Sequence, residues 1–372
     1  MPRFKKLLRE MVECESPSDD KAAVNRFGEL LADTVAGQFG GDATIKRVKG
    51  GDWGSHLLFR FGRVRRDAKQ VLVLGHGDTV WPMGTLRTMP FREGEGRLWG
   101  PGVLDMKGGI CVFLTAMRMV RELELPMPGS VVLQVNSEEE VGSPSSRALT
   151  EEMARKSAAV LVMEPGTGLA GKLKTERKGI GGYKVRVKGV ASHAGVDFEQ
   201  GASAVVELAR QIERIAGWTD LARGLTVNVG VVGGGTKSNV VAAEAWAEVD
   251  FRVRKLGEVR GLERKFRGLR AVDRRCEVSV EGGLNRPPME RSAGGTALYK
   301  KAVAAGKEFG LAVEESATGG GSDGNFTAAL GVPTLDGLGC VGEGAHALHE
   351  SILVDKVPGR VALLAGLLGR LA

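Results

Sequence analysis

The chain has 372 residues, 42% of them hydrophobic and 26% charged, and a formal net charge of +7. That length exceeds what a single hydrophobic core normally serves, so two domains are expected. The surplus of Lys and Arg is scattered among Asp and Glu, with no basic run interleaved with aromatics, which favours a solvated surface with some attraction for anionic substrates over a nucleic-acid binder.

Cys14, Cys111, Cys276 and Cys340 stand apart with no CxxC pair, as suits reduced thiols in a cytoplasmic protein. No apolar stretch reaches membrane-spanning length, and the start MPRFKKLLRE leads into no apolar signal region, so a soluble chain with no membrane partner is expected.

Phe4, Leu7, Leu8, Met11 and Val12 share one helical face, and Pro17 ends that helix. A second helix follows Ser18, with Val24, Phe27, Leu30, Leu31 and Val35 as its buried stripe and Gly40-Gly41 as its stop. Strands are expected at His56–Phe61 and Val71–Gly75. The latter opens VLVLGHGDTV (Val71–Val80), a short apolar run cut off by glycine. Such a run reads as a buried strand of an α/β sheet, and its carboxyl end opens into the crevice where ligands bind. His76 and Asp78 therefore sit at the mouth of a site. Two apart in extended chain, they point the same way, so Asp78 can hydrogen-bond one ring nitrogen of His76 and leave the other for a metal. The plain alternative is a solvated histidine at an ordinary strand end.

The loop GRLWGPGVLDMKGGI (Gly96–Ile110) follows, and then a helix over Cys111–Leu125. Asp105 there is either a carboxylate held by a shaped backbone or a simple helix cap. Ser130–Asn136 is another apolar strand and runs straight into Ser137, Glu138, Glu139 and Glu140. Adjacent carboxylates at the end of a buried strand repel one another and resist burial unless something cationic neutralises them. Ala158–Met163 repeats the pattern, ending in Glu164-Pro165. Parallel strands that each deliver a carboxylate or histidine to the same edge would build one site rich in oxygen and nitrogen donors.

After about Gly179 the texture changes. Tyr183, Val185 and Val187 alternate with Lys184, Arg186 and Lys188, and Ala245, Ala247, Val249, Phe251 and Val253 alternate with polar residues and Trp246. This period of two marks antiparallel strands with one wet face. Helices are expected between Ala202 and Ile215 and over Leu262–Leu269. From about Pro288 the α/β texture returns, with a helix at Thr296–Phe309, the loop TGGGSDGN (Thr318–Asn325), a strand at Val332–Leu335 and a last helix from about Lys356. The expected architecture is α/β, a mixed-sheet domain with helices on both faces over residues 1–178 and 288–372, interrupted by a smaller α+β domain over 179–287.

Five histidines occur, at 56, 76, 193, 346 and 349. His56 lies in a mixed strand with no acidic companion and reads as structural. His76, Asp105, Glu140, Glu164 and one of the two late histidines offer two nitrogen and three carboxylate donors. One Zn²⁺ would use three or four of them. Two ions bridged by Asp105, each with one histidine and one further carboxylate, would use all five. Glu139, beside Glu140, is the natural candidate to take a proton from water and pass it to a leaving amine. That chemistry is metal-assisted amide hydrolysis.

His76-Gly-Asp78, GPGVLDMKGG, NSEEEVGSPSSR, Glu164-Pro165, GVASHAG, SNVV, GGGSD and GAHALHE occur in this order, and the series resembles the dinuclear zinc amidohydrolases, the family of bacterial glutamate carboxypeptidase, aminoacylase, acetylornithine deacetylase and succinyl-diaminopimelate desuccinylase. The resemblance implies two Zn²⁺ per subunit, with Co²⁺ or Mn²⁺ as substitutes, on His76, Asp105 (bridging), Glu140, Glu164 and His346. It places Asp78 behind His76 and makes Glu139 the general base. It also implies that the inserted domain is a lid and a homodimer contact. In it, His193 would stabilise the oxyanion, and Asn239, Arg252 and Arg286, with Gly320 in the Gly319–Gly321 loop beside them, would hold a substrate carboxylate. Lys172 matches a lysine of the glutamate carboxypeptidase branch, which points to N-acyl-glutamate or a glutamate-ended peptide. Other N-acyl amino acids remain the alternative. Glu138, Pro144, Ser145 and Ala242 depart from the usual residues without touching an assigned ligand.

Overall fold

A strand with four apolar residues in a row needs cover on both faces, and the strand Gln70–His76 is buried along its whole length. The computed structural model describes residues 1–62 and 69–372. Among them this strand lies in a six-stranded sheet ordered Ala43–Val48, His56–Gly62, Ser130–Asn136, Gln70–His76, Ser157–Val162, Thr334–Leu335. The last four run parallel, whereas the first two are joined antiparallel, so the sheet is mixed. Val71 and Val73 share a core with Ile110 and Phe113 of the helix Gly108–Glu122 and Leu364 of the helix Val357–Gly369. Leu72 and Leu74 point the other way, to Met153 and Ala154 of the helix Arg147–Arg155. Each such side chain contributes about 1.5–3 kcal/mol by leaving water. Together they fix the strand, and with it His76.

Local departures from expectation have physical reasons. The second helix spans Lys21–Phe39 and is capped by Asp20, whose Oδ1 accepts from Ala23 N at 2.9 Å. Ser18 does not cap it because its hydroxyl is engaged elsewhere. The helix expected from Cys111 begins at Gly108. A Cβ on Gly109 would lie 2.0 Å from the carbonyl oxygen of Met163, so this glycine permits close approach of helix and strand rather than stopping the helix. The strand expected at Val332–Leu335 shrinks to Thr334–Leu335.

The chain divides into two compact units, Met1–Glu176 with Arg291–Thr318 and Ser322–Ala372, and Arg177–Glu290 with Gly319–Gly321. The second unit holds, among the described residues, a four-stranded antiparallel sheet ordered Thr226–Gly234, Glu244–Val253, Gly179–Lys188, Glu277–Arg286. Tyr183, Val185, Val187, Ala247 and Phe251 are buried on one face, under Leu208 and Ile215 of the helix Ala204–Ala216 and Phe266 of the helix Leu256–Arg267. Tyr183 stacks on Phe266 with ring centroids 3.9 Å apart. The three glycines 319–321 join this unit because its arginines hold their carbonyls: Arg177 donates to Gly320 O (3.1 Å) and Gly321 O (2.9 Å), and Arg252 to Gly319 O (3.3 Å). Among the described residues no helix is long and apolar enough to cross a membrane.

Candidate metal centre

Three neighbouring parallel strands end at one edge of the sheet, and each end delivers a donor. His76 closes Gln70–His76, Glu140 lies in the turn after Ser130–Asn136, and Glu164 follows Ser157–Val162. Asp105 comes from the Gly/Pro-rich loop just before the helix Gly108–Glu122, with a cis peptide to Met106. His346 enters from a tight turn in which it takes a positive φ of 63°. His76 Nε2 lies 3.2 Å from Asp105 Oδ1 and 3.6 Å from Glu164 Oε1. His346 Nε2 lies 3.4 Å from Asp105 Oδ2 and 3.2 Å from Glu140 Oε2. The donors thus fall into two groups able to hold a metal ion, His76–Asp105–Glu164 and Asp105–Glu140–His346, and Asp105 gives one oxygen to each.

The donor set fits divalent cations. Three carboxylates converge on two imidazoles, and Glu140 Oε1 is buried with no hydrogen-bond partner among the described residues. A buried carboxylate oxygen left in that state costs free energy unless a cation meets it. Without one, protons carry the positive charge. His346 is pushed up to about 10 by the carboxylates of Asp105 and Glu140. For His76, burial opposes the charge, but Asp105, Asp78 and Glu164 outweigh it and raise the imidazole well above its ordinary range. Burial, then repulsion from Asp105, pushes Glu140 up to about 7 against the pull of His346. For Asp105, burial is outweighed by the two imidazoles, which hold its carboxyl far below the usual carboxylate range.

Asp78 differs from expectation in its partners. His76 Nδ1 is 3.0 Å from the backbone carbonyl of Asp78 and 3.4 Å from its carboxylate, so the backbone takes the hydrogen bond. The fully buried carboxylate instead accepts from Ser18 Oγ (2.6 Å), Glu139 N (3.1 Å) and Glu140 N (3.2 Å). It therefore organises the turn carrying Glu139 and Glu140 by hydrogen bonds, and acts on the imidazole 3.4 Å away through its charge. Glu139 itself is half-buried beside Glu140 and belongs to neither donor group.

His56 has an acidic companion after all. Its Nδ1 lies 3.6 Å from Glu138 Oε2, and Ser145 Oγ sits 3.1 Å from its Nε2. Glu138 Oε1 also accepts from Ser145 N (2.9 Å), Ser145 Oγ (3.0 Å) and Ser146 N (2.7 Å). Two of the departures from the family pattern, Glu138 and Ser145, are thus partners of one another. Burial lowers the His56 pKa against the pull of Glu138, Asp323 and Asp78. Asp323, in the loop quoted as GGGSD but given no role, accepts from Asn136 and Ser143 on either side of the glutamate turn. Lys107 was missed as well. It is buried, donates to Cys14 O at 2.9 Å, lies over the Phe27 ring and is lowered to about 8 by burial. A charged residue directly before the apolar start of the helix Gly108–Glu122 was the available signal.

The remaining expected residues belong to neither donor group. In the second unit, His193 and Asn239 are exposed and lie on adjacent segments, joined by the His193–Val240 bridge and the bond from Ala194 N to Asn239 O (3.0 Å). Arg252 is paired with Asp250 (Nε to Oδ1, 2.8 Å), Arg286 is buried, and Gly320 is exposed. In the first unit, Lys172 Nζ pairs with Glu314 at 2.7 Å, outside both donor groups.

Residues 72–370 match the family described as Peptidase family M20/M25/M40. Carboxypeptidase G2 of Pseudomonas sp. (strain RS-16) is 31% identical over 375 residues, covering 99% of this chain and 89% of that protein. The succinyl-diaminopimelate desuccinylase of Dechloromonas aromatica (strain RCB) is 26% identical, over 80% of this chain and 82% of that one. The crystal structure of aminopeptidase PepT from Bacillus cereus ATCC 10987 has the same fold, with a TM-score of 0.81 at 19% identity over 100% of this chain and 98% of that one.

Proposed function

Since the chain belongs to the M20/M25/M40 peptidase family and is a metallohydrolase, we propose that it releases a C-terminal amino acid, with glutamate the leading choice, from an N-acyl or short-peptide substrate. The observation that carries this reading is Asp105, whose two oxygens face two separate donor groups. His76, Asp105 and Glu164 would hold one ion, and Asp105, Glu140 and His346 the other, with Zn²⁺ the leading metal and Co²⁺ or Mn²⁺ able to substitute. Ions bound there supply Lewis acidity toward an amide carbonyl and acidify water. Glu139, outside the donor groups, takes the proton of the attacking water and returns it to the leaving amine. Asp78 holds Glu139 in place through its backbone N–H. His193 is assigned to the developing oxyanion, and Asn239, Arg252, Arg286 and Gly320 to the α-carboxylate of the product amino acid.

The choice of glutamate rests on the motif resemblance and on Lys172, which would have to exchange Glu314 for a substrate carboxylate. That pairing favours a second reading in which the chain is an aminoacylase indifferent to a second carboxylate. Kinetics on N-acyl-glutamate, N-acyl-alanine and N-acyl-leucine separate the two. The glutamate reading expects kcat/KM at least about tenfold higher for the first, corresponding to roughly 1.4 kcal/mol, with Lys172→Ala closing most of the gap. A preference for leucine, or equal slowing of every substrate by Lys172→Ala, supports the aminoacylase.

A homodimer through the second unit is part of the same proposal. Thr226–Gly234 is an edge strand with Val231 and Val232 exposed, and Val196, Phe198, Val205 and Val206 of the same unit are exposed too. An open edge beside exposed apolar side chains is what a second copy covers. The four cysteines are free thiols, in keeping with a cytoplasmic location.

A further inference from the structure

Glu350 closes the motif GAHALHE, and neither donor group uses it. Its side chain is completely buried and accepts four hydrogen bonds. Oε1 takes Leu104 N (2.8 Å) and Asp105 N (3.0 Å), while Oε2 takes Gly102 N (2.9 Å) and the indole N–H of Trp81 (2.8 Å). Three of these donors are consecutive or near-consecutive amides of the irregular loop that presents Asp105. Such a loop has no ladder of its own to satisfy its N–H groups, so one carboxylate gathers them. The other end of Glu350 is fixed to the His346 turn. Glu350 N donates to Ala347 O (2.9 Å), Ala347 N donates to Gly344 O (2.8 Å), and the next residue, Ser351, pairs with Trp99 just before the Asp105 loop.

We propose that Glu350 is the positioning residue that sets the distance between Asp105 and His346, and thereby forms the second metal-binding group. A donor pair delivered by two loops 241 residues apart in sequence is only as well placed as the contact that ties the loops together. The Glu350 carboxylate is such a tie, since it holds the amide of Asp105 itself and lies four residues past His346. The inference rests on the reading that these donors hold metal. Its consequence for the backbone does not.

The test uses the full-length chain. Glu350→Gln keeps the shape but turns one acceptor oxygen into an NH₂ group facing N–H donors. In the metal-free protein, amide hydrogen exchange over the segment Gly102–Asp105 is expected to quicken at least tenfold, with the strand Ser130–Asn136 unchanged. On titration with Zn²⁺ the weaker of two dissociation constants is expected to rise at least tenfold. Adding Trp81→Phe to Glu350→Gln removes one of the donors opposing the NH₂ group, and should recover part of that affinity. Unchanged exchange together with unchanged Zn²⁺ affinities would overturn the proposal, as would exchange that quickens in the strand Ser130–Asn136 as much as over Gly102–Asp105. If Glu350→Gln yields no folded protein, Glu350→Asp is judged by the same two readouts. A wild-type chain that binds no Zn²⁺ would sink the metal reading, and the exchange result would still decide the role of Glu350.

Discussion

Replacing Asp78 by Asn removes the acceptor that holds the glutamate turn while changing almost nothing in shape. The new side chain keeps one oxygen and gains one NH₂ group. Placed at Oδ1, the NH₂ would oppose Glu139 N and crowd His76. Placed at Oδ2, it meets Ser18 Oγ, which can rotate to accept, and Glu140 N, which cannot. The second placement is the cheaper, and it leaves one buried N–H without an acceptor, at a cost of about 1–3 kcal/mol. That amide belongs to Glu140, a proposed ligand, so the same free energy is lost from metal binding. It corresponds to a dissociation constant roughly 5–150-fold weaker, overlapping the 10–100-fold typical of residues that orient metal ligands. Ser18→Ala deletes one donor and leaves both amides paired, so it should cost less, about 0.5–1.5 kcal/mol. Competition with a chromogenic chelator measures both variants. Wild-type affinity in Asp78→Asn, or a larger loss in Ser18→Ala, would refute the reasoning.

Glu139→Gln should retain metal yet lose rate by about 10²–10⁴, whereas Glu140→Gln should lose metal; equal metal loss in both would end the division of labour between them. His193→Ala should lower kcat by roughly 10²–10³ with little change in KM, and mixing it with inactive Glu139→Ala subunits would restore activity only if His193 serves a neighbouring subunit. Metal affinity should rise with pH. Protons held by Glu140 up to about 7 and by His346 up to about 10 compete with the cation below those values and are released as pH climbs through them. Zn²⁺ titrations over that range check the sign, and a pH-independent constant would contradict the geometry that produces the shifts.

The strand ends were legible because the signal is local. In VLVLGHGD, SVVLQVNSEEE and AVLVMEP an apolar run stops at a donor, and a parallel sheet brings such ends together. The wet and dry faces of Gly179–Lys188 and Glu244–Val253 were readable from period two alone. What the sequence hid are contacts between distant segments: Ser18 with Asp78, Glu138 with His56, Asp323 with Asn136, and Glu350 with the Asp105 loop. Each joins residues 60 or more positions apart, so no periodicity reports them. The Asp250–Arg252 pair was within reach, because residues two apart on a strand share a face. A buried Glu207, which takes two loop amides from Val272 and Asp273, was not, since a glutamate on a helix ordinarily faces water.

Diffraction from crystals soaked in Zn²⁺, recorded at the zinc absorption edge, tests the two-group arrangement directly. Two anomalous peaks are expected, one among His76, Asp105 and Glu164 and one among Asp105, Glu140 and His346, with Asp105 between them. A single peak, or peaks away from Asp105, would contradict the assignment of these five side chains as the ligands of a dinuclear centre.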